Sequence, residues 1–127
     1  MVYIRVRFPD RAQSTKLSNN LNYYIMKKFT LYMGLNDKDA KVQVISTIEA
    51  YKVVSNIIAK DFGGGTIFEA QGIYKHDDGK IVFEKTLRIE ILFAEEPQIK
   101  ALVAELKKIF NQESIAVQVE DINSDLW

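Results

Sequence analysis

The sequence predicts an α+β domain. Its plan is a ferredoxin-like βαββαβ sandwich: a four-stranded antiparallel sheet with two helices on one face, plus an extra strand or arm at the N-terminus. Three observations carry this. From residue 26 onwards, strand-like and helix-like hydrophobic periods follow one another in the order β-α-β-β-α-β. The tetrapeptide "HDDG" (76–79) joins two alternating runs, as a hairpin turn does. Three consecutive glycines, 63–65, separate a helical period from the first of those runs.

The elements follow in order. In "MVYIRVRF", Val2, Ile4, Val6 and Phe8 alternate with Tyr3, Arg5 and Arg7, a strand pattern that Pro9 ends. The polar stretch "DRAQSTKLSNNLN" reads as a loop, and Met26 resembles a natural start, so 1–25 is expected to be an N-terminal strand and polar arm, an extension, with 26–127 a single domain. "KKFTLYMG" is a strand with Phe29, Leu31 and Met33 on its apolar face. Asp39 is the expected N-cap of a helix running to about residue 61, its buried stripe formed by Ile45, Ile48, Tyr51, Val54 and Ile58. The hairpin follows. In its second strand Ile81, Phe83, Leu87, Ile89, Ile91 and Phe93 share one face, while Glu84, Thr86, Arg88 and Glu90 share the other. The second helix, "EEPQIKALVAELKKIFNQ", has Pro97 in its first turn and Lys107 and Lys108 in its last, each suited to that end of the dipole. "ESIAVQVEDI" is the closing strand, with Ile115, Val117 and Val119 inward.

Composition narrows the function classes. With 127 residues, 47% of them hydrophobic, the chain fits one soluble globular domain, and a cytoplasmic protein is the default. Seventeen basic residues balance seventeen acidic ones, which argues against a duplex-DNA binder. The charge is uneven: residues 1–25 carry Arg5, Arg7, Arg11 and Lys16 against Asp10, net +3, leaving net −3 for the rest. There is no Cys, which excludes disulfides and thiolate chemistry, and a single His, His76, which excludes a His-rich metal cluster. No apolar run approaches a membrane span.

The triple glycine is not a phosphate loop. Such a loop needs a strand before it and a helix N-terminus after it; here a helix ends and a strand begins, so carbonyls rather than N–H groups face the joint. Gly63 or Gly64 is the expected left-handed stop, and mid-strand Gly72 marks a bulge or a close approach.

Function is expected on the sheet face that the helices leave open. In this topology Tyr32 and Thr30 should neighbour Thr86, Arg88 and Glu90, with Gln118 and Glu120 at one edge and Glu69 and Gln71 at the other. The ligand-binding candidates are Tyr32, Glu69, Gln71, Glu84, Arg88, Glu90 and Gln118, with Arg88 as anion anchor and the Glu and Gln side chains as hydrogen-bonding groups. The plainer alternative is a face wet by solvent or buried in a dimer, Arg88 paired with a Glu across strands. RNA binding is disfavoured, because aromatics are few and Glu84 and Glu90 repel phosphate. Glu84 and Glu90 stand six residues apart on one strand, ~20 Å, too far to work as an acid–base pair. His76, Asp77 and Asp78 fit a hairpin tip better than a cation site. Trp127 is read as an edge cover, a dimer contact or a loose tail.

The run "FGGGTIFEAQGIYKHDDGKIVFEKTLRIEI", followed by "KKIFNQESIAVQVEDI", resembles an uncharacterised bacterial family of small ferredoxin-like domains. Phe62, Gly65 and Thr66 match its helix-to-strand joint, and Gly79, Ile81, Glu84 and Thr86 its G-x-I-x-x-E-x-T hairpin return. Phe110, Gln112, Glu113 and Ser114 match its F-x-Q-E-S motif. Gly72 also matches, whereas Tyr74 stands where the family often has Trp and Lys85 where it often has Pro. The likeness spans about residues 29–121. It implies the fold, carries no activity, and marks Glu84, Gln112 and Glu113; the side chains of Gln112, Glu113 and Ser114, at the exit of the second helix, can satisfy its last free carbonyls or the sheet edge. The plan is also similar, in topology only, to nitrogen-regulatory signal-transduction proteins and cofactor-free monooxygenases.

The leading expectation is a non-enzymatic binding or regulatory module without catalytic residues, metal or cofactor. It would self-associate, as a dimer, through its polar sheet face, with a small molecule or a protein as further partner and neither nucleic acid nor membrane. The alternative is a small cofactor-independent enzyme or small-molecule sensor with a pocket on that face.

Overall fold

The computed structural model describes residues 16–17 and 24–127. The strand expected over residues 2–8 lies outside the described residues. Along the chain run β1 (Lys16–Leu17), β2 (Tyr24–Gly34), α1 (Thr47–Phe62), β3 (Thr66–Lys75), β4 (Ile81–Leu92), α2 (Glu96–Ile109) and β5 (Ala116–Asn123). The main strands are antiparallel in the order β5-β2-β4-β3. That is the split βαβ plan, with β2 and β4 central. Ile25 pairs with Asn123 of β5 and with Lys16 of β1, so β1 lies on the β4 side of β2.

The core forms where the sheet's apolar rows meet the two helices. Phe29, Leu31 and Met33 of β2 and Leu87, Ile89 and Ile91 of β4 pack against Ala50, Val54, Ile58 and Phe62 of α1 and Leu102, Leu106 and Phe110. The α1 stripe therefore differs from the expected one. Positions 50, 54, 58 and 62 face inward, while Ile48 and Tyr51 are exposed.

The reason is a later helix start. Ser46, not Asp39, is the N-cap, its hydroxyl accepting from the Glu49 N–H at 3.2 Å. Residues 36–43 instead form a loop closed by an Asn36–Gln43 bridge, with Lys41 at φ 63°. In that loop Asp37 accepts from the N–H groups of Asp39 and Ala40, so its carboxylate organises a turn rather than a helix end.

Gly63 is the left-handed stop of α1, with φ 78° and its N–H donating to the Ala59 carbonyl. α2 starts with Pro97 in its first turn and the Glu95 N–H donating to the Gln98 side chain at 2.8 Å. It ends where Asn111 turns to φ 48° and the Gln112 N–H reaches back to the Lys107 carbonyl. The hairpin tip closes as the sequence predicts: Gly79 has φ 88°, and Asp78 accepts from the Lys80 N–H at 2.9 Å. Among the described residues no helix is long and apolar enough to cross a membrane.

Candidate functional site

Register decides which side chains share the open sheet face, because cross-strand partners lie on one side of the pleat. Arg88 pairs with Tyr32 and Phe68, and Tyr32 also pairs with Ala116. Glu90 pairs with Thr30 and Thr66, and Thr30 with Gln118. Thr86 pairs with Gly34 and Ala70, and Glu84 with Gly72. All of these lie opposite the helices. Glu69 pairs with the buried Leu87, and Gln71 with Lys85, so both belong to the helix-side face. The expectation that they join Arg88 on the open face is corrected by this register, although Gln71 borders the open face at the sheet edge.

The middle of the face is a set of polar groups that largely engage one another, although the buried Arg88 Nε finds no hydrogen-bond partner among the described residues. The Tyr32 hydroxyl donates to Gln118 Oε1 at 3.1 Å. Arg88 pairs with Glu90 two residues along the same strand, not across strands, and Lys28 approaches the same Glu90 oxygen at 3.6 Å. The guanidinium lies 5.1 Å from the centre of the Phe68 ring. Arg88 is thus held by Glu90 and Phe68, and the charges of this patch face one another rather than an incoming ligand.

Toward the hairpin tip the same face sinks into an open groove of about 900 Å³. Its floor is lined by small residues, Gly34, Ala70, Gly72 and Ala116, together with Thr86 and Glu84. Phe68 and Tyr74 lie six residues apart on β3, so the floor runs ~20 Å between the row of Tyr32 and that of Tyr74. Tyr74 meets His76 edge-on at 5.2 Å. Gly72 is not a bulge, since pairing runs unbroken from Thr66 to Lys75; a Cβ there would stand 2.8 Å from the Thr86 hydroxyl.

One wall of the groove is the 36–41 loop and another the exit of α2. Gln112 Nε2 donates to the Asn36 carbonyl at 2.7 Å and, more weakly, to that of Phe110. Asn111 donates to both Asp37 and Asp39. The Ala40 N–H and the Asn111 amide hold the Asp37 carboxyl below the usual carboxylate range. The Asn36 N–H donates to Glu84 Oε2 at 2.9 Å. Glu84 therefore joins the loop to the sheet and Gln112 joins it to the exit of α2, while Glu113 is exposed at the rim.

Of the seven sequence candidates, Tyr32, Arg88, Glu90 and Gln118 come together in the middle of the face, and Glu84 stands apart in the groove. Phe68, Ala70 and Asn36 were not singled out in the sequence. Phe68 sits in an edge strand whose two faces mix polar and apolar residues, so its side could not be read without the register.

The family described as Protein of unknown function (DUF3574) matches the chain over residues 28–125. No curated protein matches it. Among solved structures, a phage SAM lyase in complex with S-methyl-5′-thioadenosine is 24% identical over 80% of this chain and 86% of that chain, with a TM-score of 0.58. The same lyase in its apo state is 21% identical, over 88% of this chain and 94% of that one, TM-score 0.57. CutA from Synechococcus elongatus is 13% identical over 78% of each chain, TM-score 0.52. These likenesses show the shared fold.

Proposed function

The chain belongs to the DUF3574 family of proteins of unknown function, and from that premise we propose that it is a non-enzymatic binding or regulatory module that takes a small molecule into the groove of its open sheet face. The groove floor carries this reading. A sheet face meant only for water has no need of Gly34, Ala70 and Gly72 on neighbouring rows; they bare the backbone between the rows of Tyr32 and Tyr74, and Ala116 opens the edge of the Tyr32 row. Ligand sites are concave and mostly apolar, with a few polar groups that orient what binds. Here those groups are the Glu84 carboxylate and the Thr86 hydroxyl.

Binding is favoured over catalysis because the two carboxylates that β4 turns to this face cannot work as a pair: Glu84 and Glu90 are ~20 Å apart along the strand. The second reading is a small cofactor-independent enzyme or sensor using the same groove. It is favoured by one observation, that a fold of this kind serves as a lyase in a phage. The S-methyl-5′-thioadenosine in that complex makes a nucleoside thioether the first ligand to try.

The module self-associates through the same face. Tyr32, Phe68 and Tyr74 are 36%, 43% and 42% exposed there, and neither α1 nor α2 lies over them. Thermal melting with S-methyl-5′-thioadenosine and light scattering test both parts. Wild-type protein should be a dimer whose melting rises with the nucleoside, while Ala70→Phe, which fills the floor, should lose that rise. A monomer whose melting is unmoved by millimolar nucleoside overturns the proposal.

A further inference from the structure

We infer that the groove selects a ligand bearing a positive charge, with Glu84 as its anchor; this rests on the groove being the binding site. Glu84 is half-buried on the floor. One of its oxygens accepts from the Asn36 N–H, and no cationic side chain forms a salt bridge with it among the described residues. Among the described residues of the open face, Arg88 and Lys28 are engaged elsewhere, since both meet Glu90.

The remaining charges around the groove sit on its walls. Lys38 and Lys41 belong to the loop, as does Asp37, whose carboxylate is occupied by two backbone N–H groups and Asn111. Asp77 and Glu113 add negative charge at the hairpin tip and the α2 exit. A neutral ligand covering the floor would strip water from the Glu84 carboxylate and leave it without a counter-charge, and an anion would meet it head-on. A cation compensates it. The carboxylate is also preorganised: the Asn36 N–H fixes one oxygen, and the missing side chain of Gly34 gives the head group its place.

The test is calorimetry on the full chain with two probes that differ in charge at one atom. These are S-methyl-5′-thioadenosine, a neutral thioether, and its S-methylated form, the dimethylsulfonium nucleoside. The sulfonium should bind about tenfold more tightly or better, as for a half-buried charge pair. Glu84→Gln keeps an acceptor for the Asn36 N–H and removes only the charge, so it should abolish the preference. Ala70→Phe and, from the opposite edge, Ala116→Phe should weaken both probes.

Equal affinity of the two probes, or a preference that survives in Glu84→Gln, overturns the charge inference and leaves the groove reading standing. Binding unaffected by both Phe variants removes the groove reading itself. Failure of both probes to bind at millimolar concentration also overturns the inference.

Discussion

The carboxylate of Glu84 occupies the space that a side chain at position 34 would need: a Cβ on Gly34 would come within 2.3 Å of Glu84 Cδ. The two residues are diagonal neighbours on β4 and β2, and their fit lets Glu84 reach the Asn36 N–H just past the end of β2. Gly34→Ala displaces only the flexible end of a side chain, so its cost should be the loss of that hydrogen bond, about 1 kcal/mol. Glu84→Ala should cost a similar amount. The double variant should then be little worse than Glu84→Ala alone, because the contact is lost only once. Urea unfolding of the four proteins reads this out, and fully additive losses would show that the pair is not coupled.

The glycine joint yields a second, graded prediction. Gly63→Ala asks a side chain to take φ 78° and should cost about 1 kcal/mol. Gly65→Ala should cost more, about 1–3 kcal/mol. A Cβ there meets Ile58 Cγ2 at 2.8 Å and, at 3.0 Å, the Glu90 carbonyl, a backbone atom that cannot step aside. Chemical denaturation that ranks Gly63→Ala as the costlier change would refute the close-approach account of Gly65.

Much of the fold was legible because period and punctuation agree. The hairpin tip, a glycine stop at Gly63 or Gly64, the bounds of α2 and the apolar rows of β2 and β4 all follow from local pattern, and the backbone decides for Gly63. Local pattern was ambiguous where α1 begins. "NDKDAK" offers Asp residues that suit either a helix cap or a turn, and only the Asn36–Gln43 bridge decides for the turn. The faces of β3 were unreadable for a different reason: an edge strand with both faces largely exposed has no alternation to reveal its register. The Gly34–Glu84 fit joins residues fifty positions apart, and no spacing rule reaches that far. The cap itself can be tested. Ser46→Ala should cost about 1 kcal/mol and lower the helical signal on melting. An unchanged melting profile would mean that α1 does not depend on Ser46.

Acid should loosen the 36–43 loop through Asp37. Its carboxyl is held below the usual range first by the Ala40 N–H and then by the Asn111 amide. A depressed carboxylate contributes stability that is present above its unfolded value, near 3.8, and is lost as pH falls through the folded one. Stability should therefore fall as pH drops below about 4, and Asp37→Asn should flatten that part of the profile while lowering stability at neutral pH. Titration of the Asn111 side-chain amide by NMR over the same window locates the event. An Asn111 signal unmoved below pH 4 would separate Asp37 from the acid response.

Two of the exposed apolar surfaces among the described residues are candidates to mediate self-association, and they lie on opposite faces of the sheet. The open face presents Tyr32, Phe68 and Tyr74. Beyond the reach of the helices, the hairpin presents Ile73, Ile81 and Phe83 on the other side, 66%, 63% and 61% exposed. The open face is the expected interface because the charges beside Tyr32 and Phe68 are already compensated. Arg88 and Lys28 share Glu90, so covering that patch leaves no isolated carboxylate there. The hairpin patch is instead flanked by Lys75 and Lys85, which a second copy of the same patch would bring together as like charges. Phe68→Glu should therefore convert the dimer to monomer in light scattering, and Phe83→Glu should leave it intact. The opposite pattern would move the interface to the hairpin and free the groove of any partner, in which case ligand affinity should not depend on protein concentration.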